Sequence, residues 1–220
     1  MEIKFYPNNS LDDINILSIA LTTINSEQRH IGILYTDSGN TAKLLHFAWY
    51  KDLRKDNPKD KYIWCDIALD EINKITLSAW CEVIFHANQN NIPYDINMYG
   101  TSFDETGEFQ KTQTYSGLTC ATFVMQVFHS HGLKIIDLAN WPIREEDKTW
   151  QFHIAKTLLE EIPLINKAPY LKTKLQEIVL GVQRFRPEEV AAAAILEDPP
   201  HQQDSVQETS HELVHALSII

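Results

Sequence analysis

Only three cysteines occur in the 220 residues, an odd count without close spacing, which argues against a disulfide framework. Cys65 and Cys81 lie in apolar surroundings and read as core residues. Basic residues are missing from the last part of the chain. Between Pro187 and Ile220 there are seven acidic residues and no lysine or arginine, so this stretch carries most of the net charge of −11. Residues 51–61 hold five basic side chains but also three aspartates, and read as a solvated loop. With no basic face, a nucleic-acid partner is disfavoured, while the acidic tail could contact another protein. No apolar stretch approaches the roughly 20 residues of a membrane span. The segment Met1-Glu-Ile-Lys-Phe-Tyr-Pro7 is no Sec-type signal, so a cytoplasmic location is expected, although signal-independent export would leave the same sequence. No cofactor is expected.

What is present centres on Cys120, in Tyr115-Ser-Gly-Leu-Thr-Cys-Ala-Thr-Phe-Val-Met-Gln-Val-Phe128. A glycine-punctuated loop runs here into an amphipathic helix whose apolar stripe is Phe123, Val124, Val127 and Phe128. Unpaired N–H groups and the dipole at a helix start favour a thiolate and can lower a cysteine pKa. The same placement also suits a buried, inert thiol.

Upstream, residues 30–35 and 42–49 read as two strands, and Thr36-Asp-Ser-Gly-Asn40 as the loop of a hairpin. A loop symmetric about Ser38 puts His30 directly opposite His46, on one face and within reach of each other. A one-residue slip would separate them to opposite faces.

The order of His30, His46 and a cysteine opening a helix resembles the circularly permuted papain-like cysteine enzymes. These form the NlpC-like branch that includes lecithin:retinol acyltransferase and its bacterial relatives. His30-Ile-Gly-Ile-Leu looks like the histidine strand of that family, Leu45-His46 like the strand of the third residue, and Thr119-Cys-Ala-Thr-Phe-Val124 like the cysteine helix. The resemblance covers about residues 28 to 145. It departs at the nucleophile, where unpermuted relatives carry Asp-Cys-Ser-Gly and the acyltransferases Asn-Cys-Glu. Substrate preference therefore does not transfer.

The resemblance implies Cys120 as nucleophile, His30 as general base and His46 as its orienter. Thiolate attack on a carbonyl gives a tetrahedral intermediate and then a thioester. The oxyanion would be held by the Cys120 N–H and a second donor, for which Tyr94 and Tyr115 are candidates. The function expected is a thiol hydrolase of a peptide or peptidoglycan-type amide, or of an ester. The alternatives are acyl transfer from a lipid or thioester, or an inactive binding module of the same fold.

The fold class expected is α+β: a papain-like, permuted NlpC-like antiparallel sheet packed on the cysteine-bearing helix, with a helical C-terminal extension. Residues 1–150 would form the enzyme domain, 151–196 a helical extension, and 197–220 an acidic linker and terminal amphipathic helix. Within the first, residues 10–25 show helical spacing, with Ser10 and Asp13 as a start signal. Residues 62–68 read as a strand, and Asp70 caps a helix to about Asn88 carrying Ile72, Ile75, Ala79 and Val83 on one side. Further helical patterns cover about 145–162, 169–181 and 187–196. Residues 197–210 read as a flexible linker before a helix that docks through Leu213, Val214, Leu217 and Ile220. His211-Glu-Leu-Val-His215 matches the zinc metalloprotease helix formally, but no third ligand follows it, so no metal is assigned.

Overall fold

The computed structural model describes residues 2–10, 14–25, 28–37 and 39–219. Asp13, Ser38 and Ile220, which enter the readings above, lie outside the described residues. The architecture is α+β, with a six-stranded antiparallel sheet and six α-helices among the described residues.

The strands are β1 (Lys4–Phe5), β2 (Leu17–Thr23), β3 (Arg29–Thr36), β4 (Ala42–Trp49), β5 (Asp52–Asp56) and β6 (Ile63–Asp66). Their order is β1-β6-β2-β3-β4-β5. A separate hairpin joins β7 (Thr101–Phe103) to β8 (Phe109–Lys111). The helices are α1 (Glu71–Asn88), α2 (Cys120–Ser130), α3 (Asp147–Leu158), α4 (Leu164–Leu180), α5 (Pro187–Ile195) and α6 (Gln203–Leu217).

Side-chain alternation divides the sheet cleanly. Ile31, Ile33, Tyr35, Leu45 and Phe47 join the main core with Phe123 and Val127 of α2. Ala20, Leu34, Leu44, Tyr62 and Trp64 form a smaller cluster on the other face.

The segment expected to be a helix over residues 10–25 is strand β2 from Leu17 onward, paired with both β3 and β6. A central strand buried on both faces loses the apolar–polar alternation that would mark it in sequence. Part of the charged 51–61 segment is likewise strand rather than loop. β5 is the edge of the sheet, where charged side chains are tolerated and discourage further pairing. Helix α1 does begin at Asp70, whose carboxylate accepts the Asn73 N–H. Its buried face, however, is Leu77, Ser78, Cys81 and Ile84; Ile72 and Ile75 point outward at 75% and 51% exposure.

The C-terminal part is no loose appendage. α5 packs on β2, β3 and α2, and α6 packs on α5. The linker reading for residues 197–210 fails because α6 already begins at Gln203 and His201 pairs with Ile136 through the backbone. Val206, Ser210 and Leu213 are the buried positions of α6, with Ala216 and Leu217 packed partly beside them. Val214 is only half-buried. His211 and His215 are exposed, and no group of three metal-ligating side chains gathers among the described residues. No helix there is long and apolar enough to cross a membrane.

Candidate active site

The Thr119-Cys-Ala-Thr122 sequence that departs from the family pattern is a helix cap. Thr119 Oγ1 accepts the Thr122 N–H at 3.2 Å, and Thr122 Oγ1 accepts the Thr119 N–H at 2.7 Å. This reciprocal box satisfies two groups of the first turn and fixes Cys120 as the first helical residue. Gly117 brings a second strand of chain alongside. A Cβ there would lie 2.2 Å from the Pro93 carbonyl oxygen, so only glycine permits the close approach that bridges Tyr94 to Leu118. Buried Lys174 holds the same segment by donating to Asp95 at 2.7 Å, to Glu177 at 2.7 Å and to the Tyr115 carbonyl at 2.5 Å.

That arrangement places Tyr94 beside Cys120. The Cys120 N–H acts on the Tyr94 hydroxyl oxygen, while burial, reinforced by the nearby thiol, pushes the phenol pKa well above its ordinary value. The hydroxyl keeps its proton and remains a donor. Tyr115 behaves differently. Its ring packs edge-on against Tyr170 at 5.5 Å, and it does not line the cavity at Cys120. Of the two tyrosines expected as oxyanion donors, Tyr94 alone lies at the site.

The histidines meet, but not in the register expected. Strands β3 and β4 pair as Ile33↔Leu45 and Thr36↔Ala42, which centres the loop on Gly39 rather than Ser38. Asp37 explains the shift, because its carboxylate accepts the N–H groups of both Gly39 and Thr41 at 2.9 Å. A two-residue displacement preserves the face. His30 and His46 are therefore diagonal neighbours instead of direct partners, and His30 Nε2 lies 2.8 Å from His46 Nδ1. Gly32 makes this contact possible: a Cβ there would sit 2.9 Å from the Cβ of His46. We expect Gly32→Ala to cost about 1–3 kcal/mol by overpacking and to lower activity with it. Thermal unfolding of the variant checks the first, and wild-type stability would contradict the reading.

A further residue completes the chain. His46 Nε2 lies 3.1 Å from Asp56 Oδ2, on the edge strand. Asp56 was hidden in the mixed-charge run read as loop; its alternation with Arg54 on a strand was the signal that could have found it. As a carboxylate, Asp56 only accepts, so His46 carries its proton on Nε2 and offers the Nδ1 lone pair. His30 must then donate from Nε2, which leaves its own Nδ1 unprotonated, with a free lone pair. This tautomer assignment follows from the hydrogen-bond network. Burial, then the proximity of His46, Lys61 and Arg54, depresses the His30 pKa to about 3. Burial also lowers that of His46, against the opposing pull of Asp56. Both rings are neutral at pH 7.

Cys120 and His30 line one cavity of about 270 Å³, together with Tyr94, Trp49, Trp150 and Arg184. They approach it from opposite sides of the sheet. Cys120 belongs to the core under α2, whereas His30 and His46 stand on the face of Leu34 and Leu44. The cavity lies where β3 and β4 have stopped pairing, beyond Ile33↔Leu45. Because Thr36 bonds back to Ile16, on the β2 side, alternation directs the Ile31 N–H toward β4. There it acts on the Cys120 sulfur instead of a strand partner. Among the described residues no hydrogen bond joins the thiol to either imidazole. Burial pushes the Cys120 pKa up to about 11, outweighing the N–H groups of Ile31, Ala121 and Cys120 itself. The lowered thiol pKa expected from a helix start is thus reversed: desolvation of the thiolate exceeds what the helix end returns. In this resting state the pair is a neutral thiol and a neutral imidazole.

Comparison with known proteins gives no matching family model, curated protein or solved structure. The functional reading therefore rests on the site's own chemistry.

Proposed function

We propose that this protein is a thiol hydrolase of papain-like, permuted NlpC-like fold, cleaving an amide or ester through a thioester on Cys120. The observation that carries the reading is the directed chain Asp56–His46–His30, which ends in an unprotonated Nδ1 on a residue lining the cavity of Cys120. A general base needs an unprotonated nitrogen, and this chain leaves one on His30.

In the proposed reaction, substrate binding draws the thiol and His30 Nδ1 into hydrogen-bond contact. The Cys120 proton passes to Nδ1 as sulfur attacks the carbonyl carbon. The oxygen becomes an oxyanion between the Cys120 N–H and the Tyr94 hydroxyl. Collapse breaks the C–N or C–O bond, and His30 returns its proton to the leaving amine or alcohol. Water then attacks the thioester with His30 again as base, releasing the acid. While His30 is cationic, the neutral His46 accepts its Nε2–H, and the carboxylate of Asp56 at the far end of the chain offsets part of the charge.

Incubation with p-nitrophenyl acetate tests this. We expect one acetyl group by intact mass, mapped to Cys120 and lost with time in water. Faster loss to an added amine than to water would instead favour acyl transfer. Absence of any adduct under conditions that acetylate a free thiol would favour a binding module, the reading to which the high thiol pKa lends weight. Asp56→Asn should slow acetylation about 10–100-fold, less than the roughly 10⁴-fold cost of reversing the tautomer of a directly acting histidine. An unchanged rate in that variant would remove Asp56 from the mechanism.

A further inference from the structure

We propose that the cavity at Cys120 is built for an acyl substrate bearing an anionic group, a carboxylate in the peptide case, which Arg184 binds. This rests on the thiol-hydrolase reading and narrows its substrate class. Arg184 lines the cavity and also the adjoining opening formed with Gln28, Glu146 and Thr149. Its guanidinium carbon lies over the Trp150 ring, 4.1 Å from the centroid, a contact that holds the head group in place. One hydrogen bond is spent on the protein side, from Nη1 to Asp147 at 3.1 Å. Among the described residues, Nε and Nη2 make none. These are donors of the kind that recognise a carboxylate.

Arg184 belongs to a cluster of guanidiniums and carboxylates in which its own share of pairing is small. Asp147, almost fully buried, also receives Arg144 Nε at 2.8 Å and Arg186 Nη2 at 2.8 Å. Arg144 is held further by Glu189, and Arg186 reaches the exposed Glu146. Three guanidiniums thus share three carboxylates, and of these only Asp147 bonds Arg184. Glu188, the acidic group nearest in effect to Cys120, is bound to Arg29 at 2.9 Å, and together they are neutral. The influence of Arg184 extends to the reacting end, since its charge acts on the Tyr94 hydroxyl beside the Cys120 N–H. A substrate anion in the cavity therefore meets a guanidinium with two unused donor nitrogens, held against an aromatic ring.

N-iodoacetylglycine and N-iodoacetylglycinamide test this without knowledge of the natural substrate. They share one reactive carbon and differ in a carboxylate. With either, a bond forms between Sγ and the methylene carbon, the C–I bond breaks, iodide leaves, and the thiol proton passes to the base. Rates at Cys120 are followed by peptide mapping and divided by those of glutathione. We expect the acid to be favoured about tenfold after this correction, from one nearby opposite charge. The preference, taken as the ratio of acid to amide rates within each protein, should vanish in Arg184→Gln and persist in part in Arg184→Lys, with circular dichroism and thermal unfolding as the check on folding. Equal corrected rates for the two probes in the wild type, or a preference surviving Arg184→Gln, would overturn the assignment. A Cys120 inert to both probes would instead overturn the thiol-enzyme reading beneath it.

Discussion

His30→Ala should slow acetylation of Cys120 by p-nitrophenyl acetate about 10²–10⁴-fold at pH 7, the contribution of a positioned general base. Cys120→Ala should abolish it. The pH profile separates the base from a merely structural histidine. With its thiol pKa near 11, Cys120 is only about one part in 10⁴ thiolate at pH 7. An enzyme that waited for spontaneous ionisation would accelerate tenfold with each pH unit. With His30 neutral above about 3, thiol and base coexist across the whole physiological range. The wild-type rate should then be flat from about pH 5 to pH 9, and His30→Ala should regain the tenfold-per-unit slope. If wild type and variant shared both rate and slope, His30 would not be the base and the proposed mechanism would fail.

The sequence was legible where one physical cause dominated. The cap at Asp70 and the helix start at Cys120 are local events, set by side chains within four residues of the backbone groups they satisfy. The face shared by His30 and His46 was legible too, because strand parity survives a two-residue error in the loop. The misreadings have tertiary causes. β2 lost its alternation because both its faces are buried, and the first half of α6 was read as linker because its polar composition conceals a narrow face of Val206, Ser210 and Leu213. Asp56 and Arg184 carry no local signature. Asp56 gains meaning from a histidine ten residues away on the next strand, and Arg184, between α4 and α5, from an indole on α3. The sign of the Cys120 pKa shift was out of reach for the same reason, since the helix start is local and the burial that overrides it is not.

Acid should destabilise this protein through the same histidine pair. His30 has an unfolded-state pKa of 6.5 and a folded-state value of about 3. Between these values the unfolded chain binds a proton that the folded chain refuses, so stability rises with pH across that interval. The contribution is complete above pH 6.5 and is lost progressively as pH falls toward 3. At about 1.4 kcal/mol per pH unit, the loss from His30 alone is on the order of 4 kcal/mol at the lower limit. The depressed pKa of His46 acts in the same direction. Such a loss is a large fraction of the 5–15 kcal/mol by which domains are usually stable. Guanidinium unfolding at pH 7.5, 6.0, 5.0 and 4.5 should show it as a falling midpoint at constant slope. His30→Gln retains a polar side chain without the titration, so its stability should depend less on pH across this range even where it is lower at pH 7.5. Carboxylates common to both proteins cancel in that comparison. Parallel curves for wild type and His30→Gln would mean that His30 takes up its proton in the folded state as readily as in the unfolded one. The neutral, directed chain from Asp56 to Cys120 would then have no thermodynamic basis.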